Sequence, residues 1–402
     1  MTFGNQVLWL VMFAMVFCYA IENTGLLPII AKKMLNIKIA RKGPWSLALV
    51  FMLTACVTGF LTTNALTVIV ILWKIFEEMV DELNISHDHP YVSGVLIMIV
   101  IAGTAGSIIA PYTGFVVMSF GFYRSMVPIG PEINTLFYFI CMLIINIAFY
   151  IAFIIVFKFI LKINFSFDKI RRYEKNELKL NKRQKITLLY VLILAVAMMV
   201  PHLLPQGNIL RVVLLEKLGS LGVMIVVTVF MAVTAKDKET FLDMTKGFKK
   251  GIPWGLFLMV GTSLTAATAL ADDSTGVTEA IIQILEPLLS RISLHLLLVI
   301  LTIISFLLTN ILNNNACLAV FAPISIVLVQ KASGNPQVIV VLLALSAMLG
   351  YLLPASSAMG ALMHGHKWLD SKKIYRYGTI TMGIIIVVFI LVAVPLVSFL
   401  FN

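Results

Sequence analysis

The chain alternates long apolar runs with short polar interruptions. Runs near 20 residues recur, among them LFYFICMLIINIAFYIAFIIVF at 136–157 and ITMGIIIVVFILVAVPLVSFLF at 380–401. Each can cross a bilayer core of about 30 Å as a helix. The pattern predicts eight crossings, near 7–21, 91–118, 136–161, 187–205, 212–234, 253–271, 336–362 and 377–400. Segments 45–76 and 295–330 are also apolar but are interrupted by LTTNALT (61–67) and LNNNACL (312–318). They are predicted to be re-entrant hairpins that enter and leave on one side.

The interruptions come in pairs. FAMVFCYAIENTGLLPIIAKKML (13–35) resembles GTSLTAATALADDSTGVTEAIIQIL (261–285), with Thr24-Gly25 opposite Thr275-Gly276. About forty residues later each copy has its polar hairpin tip. AGTAGSIIAPYTG (102–114) and LGYLLPASSAMGAL (349–362) then break an apolar helix with Gly, Pro and small hydroxyl residues. Three paired features in one order define an internal repeat. The predicted division is a first repeat over 1–161, a basic linker over 162–186 and a second repeat over 187–402. The second copy has two apolar helices, 187–205 and 212–234, ahead of its third, whereas the first starts directly at its third.

Charge orients the copies. The first TG is followed by Lys32, Lys33, Lys38, Arg41 and Lys42 with no acid, but up to His295 the second is followed only by Arg291. Basic residues collect on the cytoplasmic side of membrane proteins. The first loop therefore reads as cytoplasmic and the second as external, an inverted-topology repeat of the kind many secondary transporters use. The linker 162–185, with nine Lys or Arg against three acids, reads as cytoplasmic, as do 235–251 and 364–378.

Composition agrees with a membrane location: 60% of the 402 residues are hydrophobic and 12% charged, with mean hydropathy +1.01. A soluble domain would carry about 25% charge. The formal charge of +11 sits in short runs between apolar segments, so it predicts cytoplasmic loops and no nucleic-acid partner. Cys18, Cys56, Cys141 and Cys317 lie in apolar stretches without paired spacing and read as small core residues. The N-terminal run lacks a basic leader region, so a cleaved signal peptide is not expected.

The polar tips carry the chemistry. An unpaired buried amide costs roughly 2–7 kcal/mol, yet Asn313, Asn314 and Asn315 stand side by side, with Asn310 one turn before them. Irregular backbone at membrane depth survives only against protein or a water-filled cavity. Two hairpin tips meeting near the midplane would make such a place. Oxygen groups there suit a hard cation, and helix N-termini suit a carboxylate. The alternative, an interhelical hydrogen-bond knot, accommodates one asparagine more readily than three adjacent ones.

At these residues the chain resembles the divalent-anion/sodium symporters, carriers of dicarboxylates, citrate and sulfate within the wider ion-transporter superfamily. That family has a Ser-Asn-Thr motif at each tip and a proline-containing break facing it. TNILNNNACLAVFAPI (309–324) is similar to the second tip, with Asn313-Asn314-Asn315 on the motif. TTNALTVIVIL (62–72) is similar to the first, with Thr62-Thr63-Asn64 on the motif. APYTG (110–114) and LPASSAMG (353–360) stand at the breaks, and GIPWGLFLMVG (251–261) enters the third helix of the second repeat. The first tip departs from the Ser-Asn order and, shifted by one residue, resembles the tips of arsenite and citrate carriers. The second replaces both hydroxyls by amides.

The resemblance implies an all-α polytopic fold and elevator motion of hairpins and broken helices against a dimeric scaffold. It implies solute contacts from Thr63, Asn64, Thr113, Asn314, Asn315 and Ser357. A first cation, Na+ in the family, would be held by Thr58, Thr62, Thr63, Asn64 and backbone from Gly103 to Gly106. A second would be held by Thr309, Leu312, Asn314 and backbone near Ala355 and Ser356. The expected function is cation-coupled transport of a small organic anion, by Na+ or H+, at a cell membrane. An oxyanion or arsenite exporter and a passive channel are the alternatives. No set of nucleophile, base and metal ligands supports an enzyme.

Thr58 and Thr309 have a second reading, hydroxyls bonded back to their own helices. Glu22, Asp272 and Asp273 are predicted to cap helices beside the TG turns, the competing role being proton relay. HDHP (87–90) and HGH (364–366) lack a third ligand nearby and are not read as metal sites. Asn84 of the NIS triplet falls on the cytoplasmic side, where glycosylation does not occur.

Overall fold

The computed structural model describes residues 4–401 apart from 63, 164, 167–172, 175, 237–238, 272, 277–279, 281–282 and 284–291. Among the described residues the fold is helical apart from one two-residue β-pair, Ala235–Lys236 with Glu239–Thr240. In the first copy the helices are α1 (Gln6–Glu22), α2 (Leu26–Leu35), α3 (Pro44–Leu61), α4 (Ala65–Glu82), α5 (Pro90–Gly106), α6 (Gly114–Met126) and α7 (Thr135–Ile160). The second part has α8 (Lys182–Leu203), α9 (Ile209–Val233), α10 (Met244–Gly251) and α11 (Trp254–Ala271). It continues with α12 (Leu294–Thr309), α13 (Asn314–Lys331), α14 (Pro336–Ser346), α15 (Ala358–His364) and α16 (Ser371–Phe401).

Both predicted hairpins form. The arms α3 and α4 pack on each other, as do α12 and α13. Both predicted breaks form as well, at 107–113 between α5 and α6 and at 347–357 between α14 and α15. Among the described residues six helices are long and apolar enough to cross a membrane, or eight when two bent pairs each count as one span. The bends are 66° between α1 and α2 and 75° between α10 and α11. Two of the six, α3 and α13, are hairpin arms, so length alone does not separate a re-entrant arm from a crossing.

The repeat is visible in the backbone. Gly25 and Gly276, the two TG glycines, have φ of 65° and 66°. A side chain at that left-handed φ is disfavoured, which is why each turn ends on glycine. The second counterpart of α2 falls largely in 277–291, and Asp272 and Arg291 lie outside the described residues.

Burial separates centre from rim. Every residue of α5 after Pro90, and every residue of α14 after Pro336, is buried. These first halves of the two broken spans are apolar all round, the signature of helices at the middle of a bundle. By contrast α8 and α9 expose Leu189, Leu192, Ile193, Val196, Val226, Val229 and Phe230, side chains suited to lipid. All four cysteines are buried, as expected of core residues.

Candidate functional site

The second tip is built from its asparagines, and the three adjacent ones do three different things. Asn313 is exposed and caps α13, its side-chain oxygen accepting from the Asn315 N–H at 2.9 Å. Asn314 is buried and turned toward the break, its Nδ2 donating to the Met348 carbonyl at 2.9 Å. The Asn315 side chain faces an open cavity. Behind them the Thr309 hydroxyl lies 2.9 Å from Asn314 Oδ1 and donates to the Ala347 carbonyl at 2.5 Å.

Asn310 completes the arrangement. Its Nδ2 donates to Phe306 O at 2.8 Å and Leu349 O at 3.3 Å, while Oδ1 accepts from the N–H groups of Tyr351 at 3.1 Å and Leu352 at 2.9 Å. The Ser357 hydroxyl donates to the Gly350 carbonyl and accepts from the Gly360 N–H, capping α15. Side chains of Thr309, Asn310, Asn314 and Ser357 thus satisfy the backbone that the broken helix leaves unpaired, as buried peptide groups require. Gly350 permits the approach, since a Cβ there would collide with Asn314 Oδ1 and stand 2.6 Å from the Thr309 carbonyl oxygen.

The first tip spans residues 62–64, one fewer than the 310–313 of the second. Asn64 caps α4, accepting from the N–H groups of Leu66 and Thr67, so by position it pairs with Asn313. The residue-for-residue match of Thr62-Thr63-Asn64 with Asn313-Asn314-Asn315 is therefore displaced by two. Thr62 is fully buried and its hydroxyl donates to the Glu22 carboxylate. The predicted helix-capping role of Glu22 is corrected: it ends α1 and joins the first tip.

One cavity of about 460 Å³ collects these groups. It is lined by Asn64, Ala65 and Leu66, by Gly114 and Phe115, by Asn313, Asn314 and Asn315, and by Ser357, Ala358 and Met359. Each cluster is the start of a helix. Three of those helices, α4, α6 and α13, run 13 to 18 residues, and each brings the roughly half positive charge of a helix N-terminus to the cavity. Glu22, Tyr19 and Cys18 of α1 and Lys250, Gly251 and Pro253 of the α10–α11 bend supply the remaining wall.

Of the residues assigned to a solute, Asn64, Asn314, Asn315 and Ser357 line this cavity. Thr113 is buried just before the lining residue Gly114, with an unpartnered hydroxyl, and Thr63 lies outside the described residues. Of those assigned to a cation, only Asn64 and Asn314 are in the lining; Thr62 and Thr309 stand one hydrogen bond behind it. The Thr58 hydroxyl is bonded to Thr54 O at 2.7 Å within its own helix, the alternative reading for that residue. Gly103 packs on Ile69 and Gly106 on Ala55, while Leu312 and Ala355 are exposed. Ser356 is turned onto Leu353 O at 2.6 Å.

Sequence reasoning missed three residues. Asn310 signalled itself by sitting one turn ahead of the run. Glu22 was visible only as a lone acid ending an apolar helix. Lys250 gave no signal, because the bend at Ile252 and Pro253 is what brings it to the cavity.

One histidine of each pair meets a carboxylate. His366 Nε2 meets Glu77 at 2.8 Å, and His87 Nε2 meets Asp81 at 2.8 Å with its ring stacked on Trp368. Burial holds the His366 imidazole below its usual range, against the opposing pull of Glu77.

Three comparisons agree with this architecture. Residues 1–345 match the family model of the citrate transporters. A sodium-dependent dicarboxylate transporter, SdcS of Staphylococcus saprophyticus, is 27% identical over 180 residues, 44% of this chain and 34% of that protein. The chain therefore spans about a third of that relative's length. The crystal structure of the Alcanivorax borkumensis YdaH transporter, described as having an unusual topology, superposes with a TM-score of 0.65 at 10% identity. The match covers 98% of this chain and 86% of the other. That likeness is one of fold. With the family model matched over most of its length, the chain belongs to the citrate transporter family, a family of multi-pass membrane transporters.

Proposed function

We propose that the protein is a secondary active transporter of small organic anions, di- or tricarboxylates, working at a cell membrane by elevator-type alternating access. The observation that carries this reading is the convergence of helix N-termini from both repeats, each with a side-chain amide, on one cavity. Carboxylates accept hydrogen bonds from such N–H groups and are stabilised by the helix dipoles. Lys250 adds a full positive charge to the wall.

The coupling ion is Na+ or H+. The groups behind each tip are oxygens, which suit a hard cation. Thr309, Asn314 and the Ala347 carbonyl would hold one such ion, and Thr62 with Glu22 another. Elevator motion accords with the hydrogen bonds that tie the second tip to its break, so that both travel together. The homodimeric scaffold of the family is proposed for this chain on the resemblance.

Uptake of labelled succinate and citrate into proteoliposomes tests the proposal, with a Na+ gradient, a proton gradient or neither. Accumulation above equilibrium under one gradient is expected, lowered by Asn64→Ala and Asn314→Ala. Equilibration without accumulation points to a channel. If no anion in a broad panel enters and both substitutions are silent, the reading is wrong.

A further inference from the structure

A second pocket, of about 310 Å³, lies where the starts of α5 and α16 meet the end of α7. It is lined by His89, Pro90, Leu161, Lys162, Ile163, Arg376 and Tyr377. Three basic side chains from three separate segments thus face one space. Asp88, next to His89, and Asp370 are both held by Lys373, at 2.7 Å and 3.7 Å. His89 Nδ1 accepts from the Tyr91 N–H at 3.1 Å, which leaves Nε2 as the nitrogen that carries a proton outward.

Lys162 has a φ of 50°, a left-handed conformation unusual for a residue with a side chain. It turns the chain just past α7, where Leu161, Lys162 and Ile163 line the pocket. On the last turn of α7, Phe159 and Ile160 are 61% and 67% exposed, so apolar surface suited to acyl chains adjoins the basic pocket. By the charge pattern of the loops all three helix ends lie on the cytoplasmic side, where anionic lipids face clustered Lys and Arg.

We infer that this pocket binds the phosphate headgroup of an anionic phospholipid of the cytoplasmic leaflet. The lipid's phosphate oxygens take Lys162, Arg376 and His89 Nε2, and its chains lie along Phe159 and Ile160. The inference does not depend on which solute the protein carries.

The test compares the full chain in nanodiscs of phosphatidylglycerol with phosphatidylcholine, read by native mass spectrometry and thermal midpoint. Wild type is expected to retain phosphatidylglycerol selectively and to melt higher in it. Each of Lys162→Gln and Arg376→Gln should lower that retention about fivefold, since each basic residue near an anionic surface contributes by roughly that factor. Lys331→Gln, an exposed lysine elsewhere, should not. Both tested side chains are exposed, so folding should survive; if a variant misfolds, competition between the two lipids on wild type decides. Equal retention of both lipids, undiminished retention in the variants, or equal stabilisation by free glycerol 3-phosphate would overturn the inference.

Discussion

The two tips meet the same demand by different means. In the first copy, tip and break touch through backbone. A Cβ on Gly59 would lie 2.5 Å from the Gly106 carbonyl carbon, and one on Gly106 would lie 2.8 Å from Ala55 O. The exposed carbonyls are capped by tyrosines from outside the tip, Tyr112 to Phe60 O and Tyr138 to Ile108 O, both at 2.6 Å. In the second copy, amide and hydroxyl side chains of the tip itself make the bonds to the break. One contact is a smooth seam and the other a latch. A buried polar run is tolerable where each member finds backbone to satisfy, which answers why the asparagines cluster.

The largest effect should come from unfastening the latch. Asn310→Ala leaves the N–H groups of Tyr351 and Leu352 and two carbonyls without that partner, at roughly 1–3 kcal/mol for each buried group left unsatisfied. A net loss of about 3 kcal/mol is expected in thermal or denaturant unfolding. Its effect on solute affinity should be non-additive with Ser357→Ala, which shares the Gly350 segment, and additive with Asn64→Ala. Additivity with both would show that the latch does not position Ser357.

Next comes the seam. Gly59→Ala forces backbone apart, and overpacking of this kind costs about 1–3 kcal/mol. The unfolding midpoint should fall, and no hydrogen-bonding residue substituted elsewhere should restore it. A neutral Gly59→Ala would mean that the first copy can part from its break freely.

Asn315→Ala should be smaller still in stability, within about 0.5 kcal/mol, because the side chain faces the cavity. Its cost should appear as an increase in KM of about tenfold, the size of one lost hydrogen bond to a charged group. Stability loss without a KM change would place Asn315 with the latch instead.

The smallest effect concerns the clasp that joins the first hairpin to the loop after α15, His366 on Glu77. Burial depresses the His366 pKa, so below the unfolded value of about 6.5 the unfolded chain binds more protons than the folded one. Stability should therefore fall as pH drops from 7.5 to 5.5, and His366→Gln should flatten that slope. An unchanged slope would mean that the clasp does not couple stability to pH.

Much of this was legible in the chain. The hairpins, the breaks and the TG turns follow from hydrophobic runs punctuated by Gly, Pro and Asn, which act locally. Asn64 and Asn314 could be placed at the cavity because the repeat gave each a partner. The ligand role of Thr58 could not be decided, since a buried threonine bonds its own helix whenever nothing better is near. Glu22 and Lys250 reach the cavity through bends of 66° and 75° that local patterning marks but does not aim. The one-residue difference between the tips was equally hidden, because turn length depends on how the break packs beneath it.

The two equivalent caps open onto different walls, and this has a stereochemical consequence. The α4 wall begins with Asn64, Ala65 and Leu66, whereas the α13 wall begins with Asn313, Asn314 and Asn315. A receptor with two identical walls related by a two-fold axis would accept a solute in two equivalent, end-for-end poses. Here one wall is apolar beyond its cap and the other carries amides, so the poses are unequal in energy. A dicarboxylate with two unlike ends should therefore be held in one of its two end-for-end orientations.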